Sequence, residues 1–205
     1  MQTKVISITQ TDIIDLAMKV FSQGGIVAFP TDTVYGVGAL VQNEKSIEKL
    51  FLAKGRDFNK AIAVLIGDLN QLSLLTSNFN ARAQKLANWF WPGGLTLVVE
   101  KTACLPMILS PLPTIGIRMP DHVFTRELLV RMGPLATTSA NISGGMNPLT
   151  ARDVLDQLEG KIDLVIDGGK APGGTPSTVV DCTKEEPEIV RIGEISRDEI
   201  KRALS

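Results

Sequence analysis

The amino-acid sequence predicts an α/β fold, with helices flanking one twisted, mixed open sheet. Three observations predict it. Short apolar runs of strand character alternate with segments of helical periodicity, turn-forming residues separate them, and no repeat, low-complexity tract or long linker interrupts the series. With 205 residues, 44% of them hydrophobic and 21% charged, the chain has the balance of a globular protein. One domain spanning residues 1–205 is the expectation.

The elements follow in order. "TQTDIIDLAMKVFSQGG" sets Ile13, Leu16, Ala17, Val20 and Phe21 on one helical stripe, and Gly24-Gly25 ends it. "GIVAFPTDTVYGVGAL" reads as buried strands broken at Pro30 and loosened by Gly36 and Gly38. "NEKSIEKLFLAKG" is a helix with Ile47, Leu50 and Phe51 inward and Gly55 past its end, and "AIAVLIG" is a strand. Pro92 stops the helix in "NARAQKLANWFWPGG"; "LTLVVE" and "TIGIRMP" are strands. Asp121 is placed to cap the helix "HVFTRELLVRM", and "PLATTSAN" runs from a strand into a polar loop. Thr150 with Asp153, and Ser196 with Glu199, form capping boxes for two further helices. Between them, "KIDLVIDGG", "STVVDCT" and "EIVRIG" are strands.

Composition excludes several function classes. A net charge of -1 gives no bulk attraction to nucleic acid, so any anion site must be a local cluster of cations. No apolar run approaches the roughly 18 residues that span a bilayer, and "MQTKVISITQTD" lacks the apolar core of a signal peptide. Cys104 and Cys182 lie far apart outside any CxxC pattern, and His122 is the one histidine, so no zinc set is expected. These three read as structural residues, and a reduced cytoplasmic location is the expectation.

Four segments have residues suited to chemistry. In "LAKGRDFNKA", Lys54, Arg56 and Lys60 stand on one turn at a helix end. Such cations complement the helix dipole, or they hold a polyphosphate; the segment alone is compatible with both. In "ATTSANISGG", a strand of small residues delivers Thr137, Thr138, Ser139 and Asn141, either a turn or a dense set of donors and acceptors for a small ligand. "DGGKAPGGTPST" fails as a P-loop, because Gly174 is followed by Thr175, Pro176 and a strand. A glycine loop closing over a ligand, with Ser177 at its far end, stays open. In "PTDTVYGVG", Thr31, Asp32 and Thr33 interrupt apolar sequence and must be paired or face a cavity. Asp32 reads as an isolated acid. Arg118 and Arg191 each follow a strand run that should be interior.

Taken together, "FPTDTVYGVG", "LAKGR", "WPGGLTLV", "IGIRMPDH", "TTSANISG", "PSTVVD" and "IVRIG" resemble the YrdC/TsaC family, the threonylcarbamoyl-adenylate synthases. The blocks appear in family order from about Gly24 to Gly193, and the pairing of Lys-x-Arg with Ser-x-Asn is specific. The chain is similar to the short single-domain members. The resemblance implies a mostly parallel open sheet with a basic concave face. It also implies a reaction in which L-threonine, bicarbonate (or CO2) and ATP give threonylcarbamoyl-AMP and pyrophosphate. Partner proteins would then pass the group to tRNA.

By matching position, Lys54, Arg56, Lys60, Thr114, Asn141 and Arg191 are similar to the family's nucleotide contacts, with Lys54 and Arg56 expected at the reacting phosphates. Thr33, Arg118, Ser139 and Ser177 are similar to its threonine contacts. Magnesium is expected on the phosphates and no protein metal site is expected. Two positions depart from the family pattern: Asp57 stands where proline is usual, and Leu65 where some members have histidine. The alternative from another class is a non-catalytic RNA-binding factor in tRNA or ribosome maturation. The low net charge and the lack of aromatic-basic interleaving count against it.

Overall fold

A computed structural model describes residues 2–205. Ten strands form one sheet: β1 (Lys4–Ser7), β2 (Val27–Phe29), β3 (Gly36–Leu40), β4 (Ala63–Leu65), β5 (Leu95–Glu100), β6 (Thr114–Arg118), β7 (Leu135–Ser139), β8 (Leu164–Asp167), β9 (Thr178–Asp181) and β10 (Glu188–Arg191). Their order is β1-β8-β2-β3-β7-β4-β6-β5-β9-β10. Of the neighbouring pairs, β1–β8, β8–β2, β4–β6 and β5–β9 are parallel and the other five antiparallel. The sheet is therefore mixed rather than mostly parallel. Short loops such as that between β2 and β3 force antiparallel returns, whereas helical crossovers permit parallel ones.

The six helices are α1 (Ile13–Ser22), α2 (Glu44–Lys54), α3 (Ala81–Phe90), α4 (Val123–Met132), α5 (Ala151–Leu158) and α6 (Arg197–Leu204). Both expected capping boxes are present, at Thr150–Asp153 and Ser196–Glu199. Gly55 ends α2 in the left-handed conformation, φ 57°. The cap of α4 is His122, whose ring nitrogen accepts from the Thr125 N–H, and not Asp121. In α1, Ile14 is buried beside Ile13, Ala17 and Phe21, while Leu16 and Val20 lie half-buried at the edge.

Strand alternation sends successive side chains to opposite faces of the sheet. On one face Ala28, Val64, Ile115, Ile117, Leu95, Leu97 and Val180 join the larger core with residues of α2, α3, α5 and α6. On the other, Val27, Phe29, Leu65, Leu135, Leu164 and Ile166 pack against α1 and α4. Those two helices cover only part of that face. Beyond them the alternate positions are Gly36, Ala63, Thr96, Gly116, Arg118 and Thr137, small or polar residues that leave the sheet open as a cleft.

The C-terminal segment is fastened to this sheet by one buried hydroxyl. Thr178 Oγ1 donates to the Ile195 carbonyl at 2.6 Å and accepts from the N–H groups of Gly193 and Ile195 at 2.9 and 3.0 Å. A Cβ on Gly193 would stand 2.0 Å from the Pro176 carbonyl oxygen, so the two segments touch backbone to backbone. Thr178→Val keeps the shape but strands three backbone groups. It should lower unfolding free energy by about 2–4 kcal/mol, measured by urea titration; an unchanged midpoint would contradict this role.

Candidate active site

The open face holds a cleft of about 470 Å³. Thr33 and Gly36 come from the β2–β3 segment, Ala63 and Leu65 from β4, Thr96 and Val98 from β5, and Gly116 and Arg118 from β6. The end of β7 and the turn after it add Ser139 and Asn141, Ser177 stands just before β9, and Arg191 ends β10. Three arginines, at 56, 118 and 191, line the cleft, and among the described residues no carboxylate does.

Arg118 is 6% exposed. Its Nε donates to the Gly93 carbonyl at 3.0 Å, Nη1 to Thr33 Oγ1 at 2.9 Å, and Nη2 to Asp32 Oδ1 at 2.5 Å. Asp32 is thus the counterion of Arg118, not an isolated acid. Burial lowers the Arg118 pKa and the Asp32 charge acts against that. Three bonds from five N–H groups leave one free N–H on each terminal nitrogen. A guanidinium held this way can still receive a carboxylate.

Arg56 and Arg191 form the second wall. Arg56 turns back along its own loop, Nη2 donating to the Ala61 carbonyl at 2.7 Å. Its pKa is lowered by burial first and by the charge of Arg191 second, and both arginines line the cleft. Arg191 donates through Nε and Nη2 to the Ser177 carbonyl at 3.1 and 2.8 Å, and through Nη2 to Ser177 Oγ at 3.2 Å. Ser177 Oγ also shares a 2.8 Å bond with Thr96 Oγ1. Two guanidiniums lining one cleft suit a polyphosphate.

Lys54, Lys60 and Thr114 are not on the cleft wall. Lys60 is exposed. Thr114 shares the face of Gly116 and Arg118 but lies one step beyond the cleft. Lys54 is 3% exposed, and its ammonium donates to the carbonyls of Ser139 and Asn141 and, at 3.4 Å, to Asn141 Oδ1. It fastens the end of α2 to the end of β7, from beneath the Ser139–Asn141 turn. Asn141 in turn donates to the Gly145 carbonyl at 2.8 Å.

The glycine loop is seated rather than free. Gly174 N–H donates to the Thr33 carbonyl at 2.8 Å, Ala171 N–H to Leu149 at 2.7 Å, and the Tyr35 hydroxyl to the Gly169 carbonyl at 2.7 Å. A Cβ on Gly173 would meet the Asp32 carbonyl oxygen at 2.7 Å, which explains why glycine is needed where the loop crosses Asp32–Thr33. Asp57 is exposed, and its Oδ1 accepts from the Asn59 N–H at 2.9 Å. Leu65 is buried and makes an apolar spot at the cleft floor. Cys182 is buried, with its thiol pushed up to about 12, whereas Cys104 is exposed.

Thr31 and Thr96 are cleft residues that motif reading did not single out as ligand contacts. Thr96 had a signal, a hydroxyl at an alternate position of an otherwise apolar strand. The Asp32–Arg118 pair had none, because 86 positions separate the partners.

Comparison with known proteins identifies the family. The Sua5/YciO/YrdC family model, described as "Telomere recombination", matches residues 19–193. The chain belongs to the Sua5/YciO/YrdC family. It is 38% identical over 193 residues to a Pyrococcus abyssi protein named threonylcarbamoyl-AMP synthase, covering 93% of this chain and 57% of that one. A Bacillus subtilis protein of the same name is 39% identical over 194 residues, with 92% and 55% covered. Among Sua5/YciO/YrdC structures, P. abyssi Sua5 complexed with L-threonine superposes with a TM-score of 0.94 at 35% identity, covering 100% of this chain and 61% of that chain. The chain therefore spans little more than half the length of these relatives.

Burial without a carboxylate partner, with Arg56 nearby, pushes the Lys54 ammonium down to about 7. Unfolded, it would keep the ordinary value of 10.5. Between these values the unfolded chain binds more protons, so the Lys54 contribution to stability rises with pH from about 7 upward. Relative to Lys54→Met, the wild type should gain about 2 kcal/mol between roughly pH 7 and pH 9, measured by urea titration of both. A difference that stays constant with pH would refute the shifted lysine.

Proposed function

We propose that this chain is a threonylcarbamoyl-AMP synthase: L-threonine, bicarbonate (or CO2) and ATP yield threonylcarbamoyl-AMP and pyrophosphate. The observation that carries the reading is one cleft lined by three arginines, of which Arg118 is fixed by Asp32 while Arg56 and Arg191 have no carboxylate partner among the described residues. The synthase has two anionic partners to bring together, an amino-acid carboxylate and a triphosphate. The name borne by the relatives supports this reading over the RNA-binding alternative.

In this reading the threonine carboxylate takes the two free N–H groups of Arg118. The hydroxyls of Thr33, Ser139 and Ser177 surround its side chain, and Leu65 supplies an apolar contact for the methyl group. The amine adds to CO2 and loses a proton to form a carbamate, which needs no protein nucleophile. A carbamate oxygen then attacks the α-phosphorus as the bond to the β-phosphate oxygen breaks, releasing pyrophosphate. Arg56 and Arg191 offset the charge gathered on the phosphates, and Lys60 adds to the field at the rim. Asn141 and Thr114 are nucleotide contacts in this reading, Thr114 at the outer end of the cleft face. Lys54 acts from below, holding the Ser139–Asn141 turn in register.

Magnesium enters with ATP, as part of the substrate. The product passes to proteins that transfer the threonylcarbamoyl group to tRNA. An ATP-consuming reaction of this kind fits the cytoplasm; among the described residues no helix is long and apolar enough to cross a membrane. The single continuous sheet supports residues 1–205 as one domain.

Incubation with ATP, threonine and bicarbonate tests the assignment. Pyrophosphate and the adenylate should appear only when all three are present. In CO2-depleted buffer pyrophosphate release should fall to background and return when bicarbonate is added. Sustained release without bicarbonate would mean that another acceptor is adenylated.

A further inference from the structure

A second cleft, of about 610 Å³, opens behind the turn that anchors Arg118. Leu69, Trp91, Pro92 and Met119 give it apolar walls, and Asn70, Asn88 and Arg126 add donors. Its Trp91 and Pro92 lead into Gly93, which contacts Arg118 of the first cleft, but the two clefts have no lining residue in common. Gly93 donates its N–H to the Met119 carbonyl at 2.8 Å and offers its own carbonyl to Arg118.

Arg126 is the unusual member. It projects from α4, is half-buried, and its Nε is fully enclosed with no hydrogen-bond partner among the described residues. The described ion pairs join Arg118, Arg131, Arg152 and Lys184 to acids, and none of them involves Arg126. Asp68 also lines the cleft, but its Oδ1 accepts from the Asn70 N–H at 2.7 Å, capping the following 3-10 turn. The enclosed Nε is beyond a ligand's reach; the terminal nitrogens are neither enclosed nor hydrogen-bonded among the described residues, and they are what Arg126 offers to the cleft. A guanidinium without a paired carboxylate beside apolar walls has the composition of a small-ligand site for an anion.

We propose that this second cleft binds a small molecule with an apolar or aromatic body and a terminal carboxylate or phosphate. Arg126 takes the anionic group, and Trp91, Pro92 and Met119 hold the body. The site is separate from the proposed threonine and nucleotide positions, since the two clefts share no lining residue. The proposal does not depend on the synthase assignment.

Phenyl phosphate and benzoate, titrated separately into the full chain, are suitable probes, with phenol as the uncharged control. Binding is followed by tryptophan fluorescence and by isothermal titration. At least one anionic probe should bind saturably, and phenol about tenfold or more weakly. Arg126→Gln should raise that probe's dissociation constant by about tenfold or more. Asn88→Asp, at an exposed position where folding is not at issue, should weaken it through charge repulsion. Arg191→Ala should leave it unchanged. No saturable binding, equal affinity in wild type and Arg126→Gln, or loss of binding in Arg191→Ala would each overturn the site.

Discussion

A guanidinium buried at the end of β6 ties together three segments that are far apart in the chain. Arg118 is gripped by Asp32 and Thr33 from the β2–β3 loop and by the Gly93 carbonyl from the turn before β5. Removing a charge from water costs several kcal/mol unless partners replace the solvent. Here a carboxylate, a hydroxyl and a carbonyl replace it. The cation is stable only in this one arrangement, and that rigidity is what a receptor needs. Its remaining N–H groups are aimed before any ligand arrives, so less ordering is left for binding to supply.

Lys54 repeats the principle with different partners. Its ammonium meets only carbonyl oxygens, at the point where β7 gives way to the Ser139–Asn141 turn. Carbonyls satisfy an ammonium's protons without cancelling its charge, so burial lowers its pKa to about 7 and its charge beneath the turn is lost as pH rises through that value. Arg56 and Arg191, both partly solvated cleft residues, are held by carbonyls and a hydroxyl and have no carboxylate partner among the described residues.

Most of this order was legible in the sequence wherever local chemistry decides the outcome. The breaks at Pro30 and Pro92, the left-handed Gly55 and the two capping boxes stand where spacing puts them. Strand β1 was not foreseen. It is a short edge strand with exposed residues on both faces, held by its ladder with β8 and not by an apolar pattern. The parallel bias expected of the sheet also gave way, because strand direction depends on which strands become neighbours and not on any one strand's residues. At the site, the hydroxyl-rich end of β7 and the arginines after apolar runs pointed to a ligand cleft. The direction of Lys54 could not be read, since a helix-end lysine reaches solvent or a neighbouring strand with equal ease. Nor could the partner of Asp32, because the β2–β3 loop meets the end of β6 across the three strands that lie between β2 and β6 in the sheet.

The central claim is that Arg118 is a carboxylate receptor built before the ligand arrives. Titrating L-threonine against L-threoninamide by calorimetry tests it most directly, because the two differ only at the group that Arg118 would hold. The proposed function predicts measurable threonine binding and an affinity for the amide lower by about tenfold to a hundredfold. Equal affinities for the two would contradict the claim.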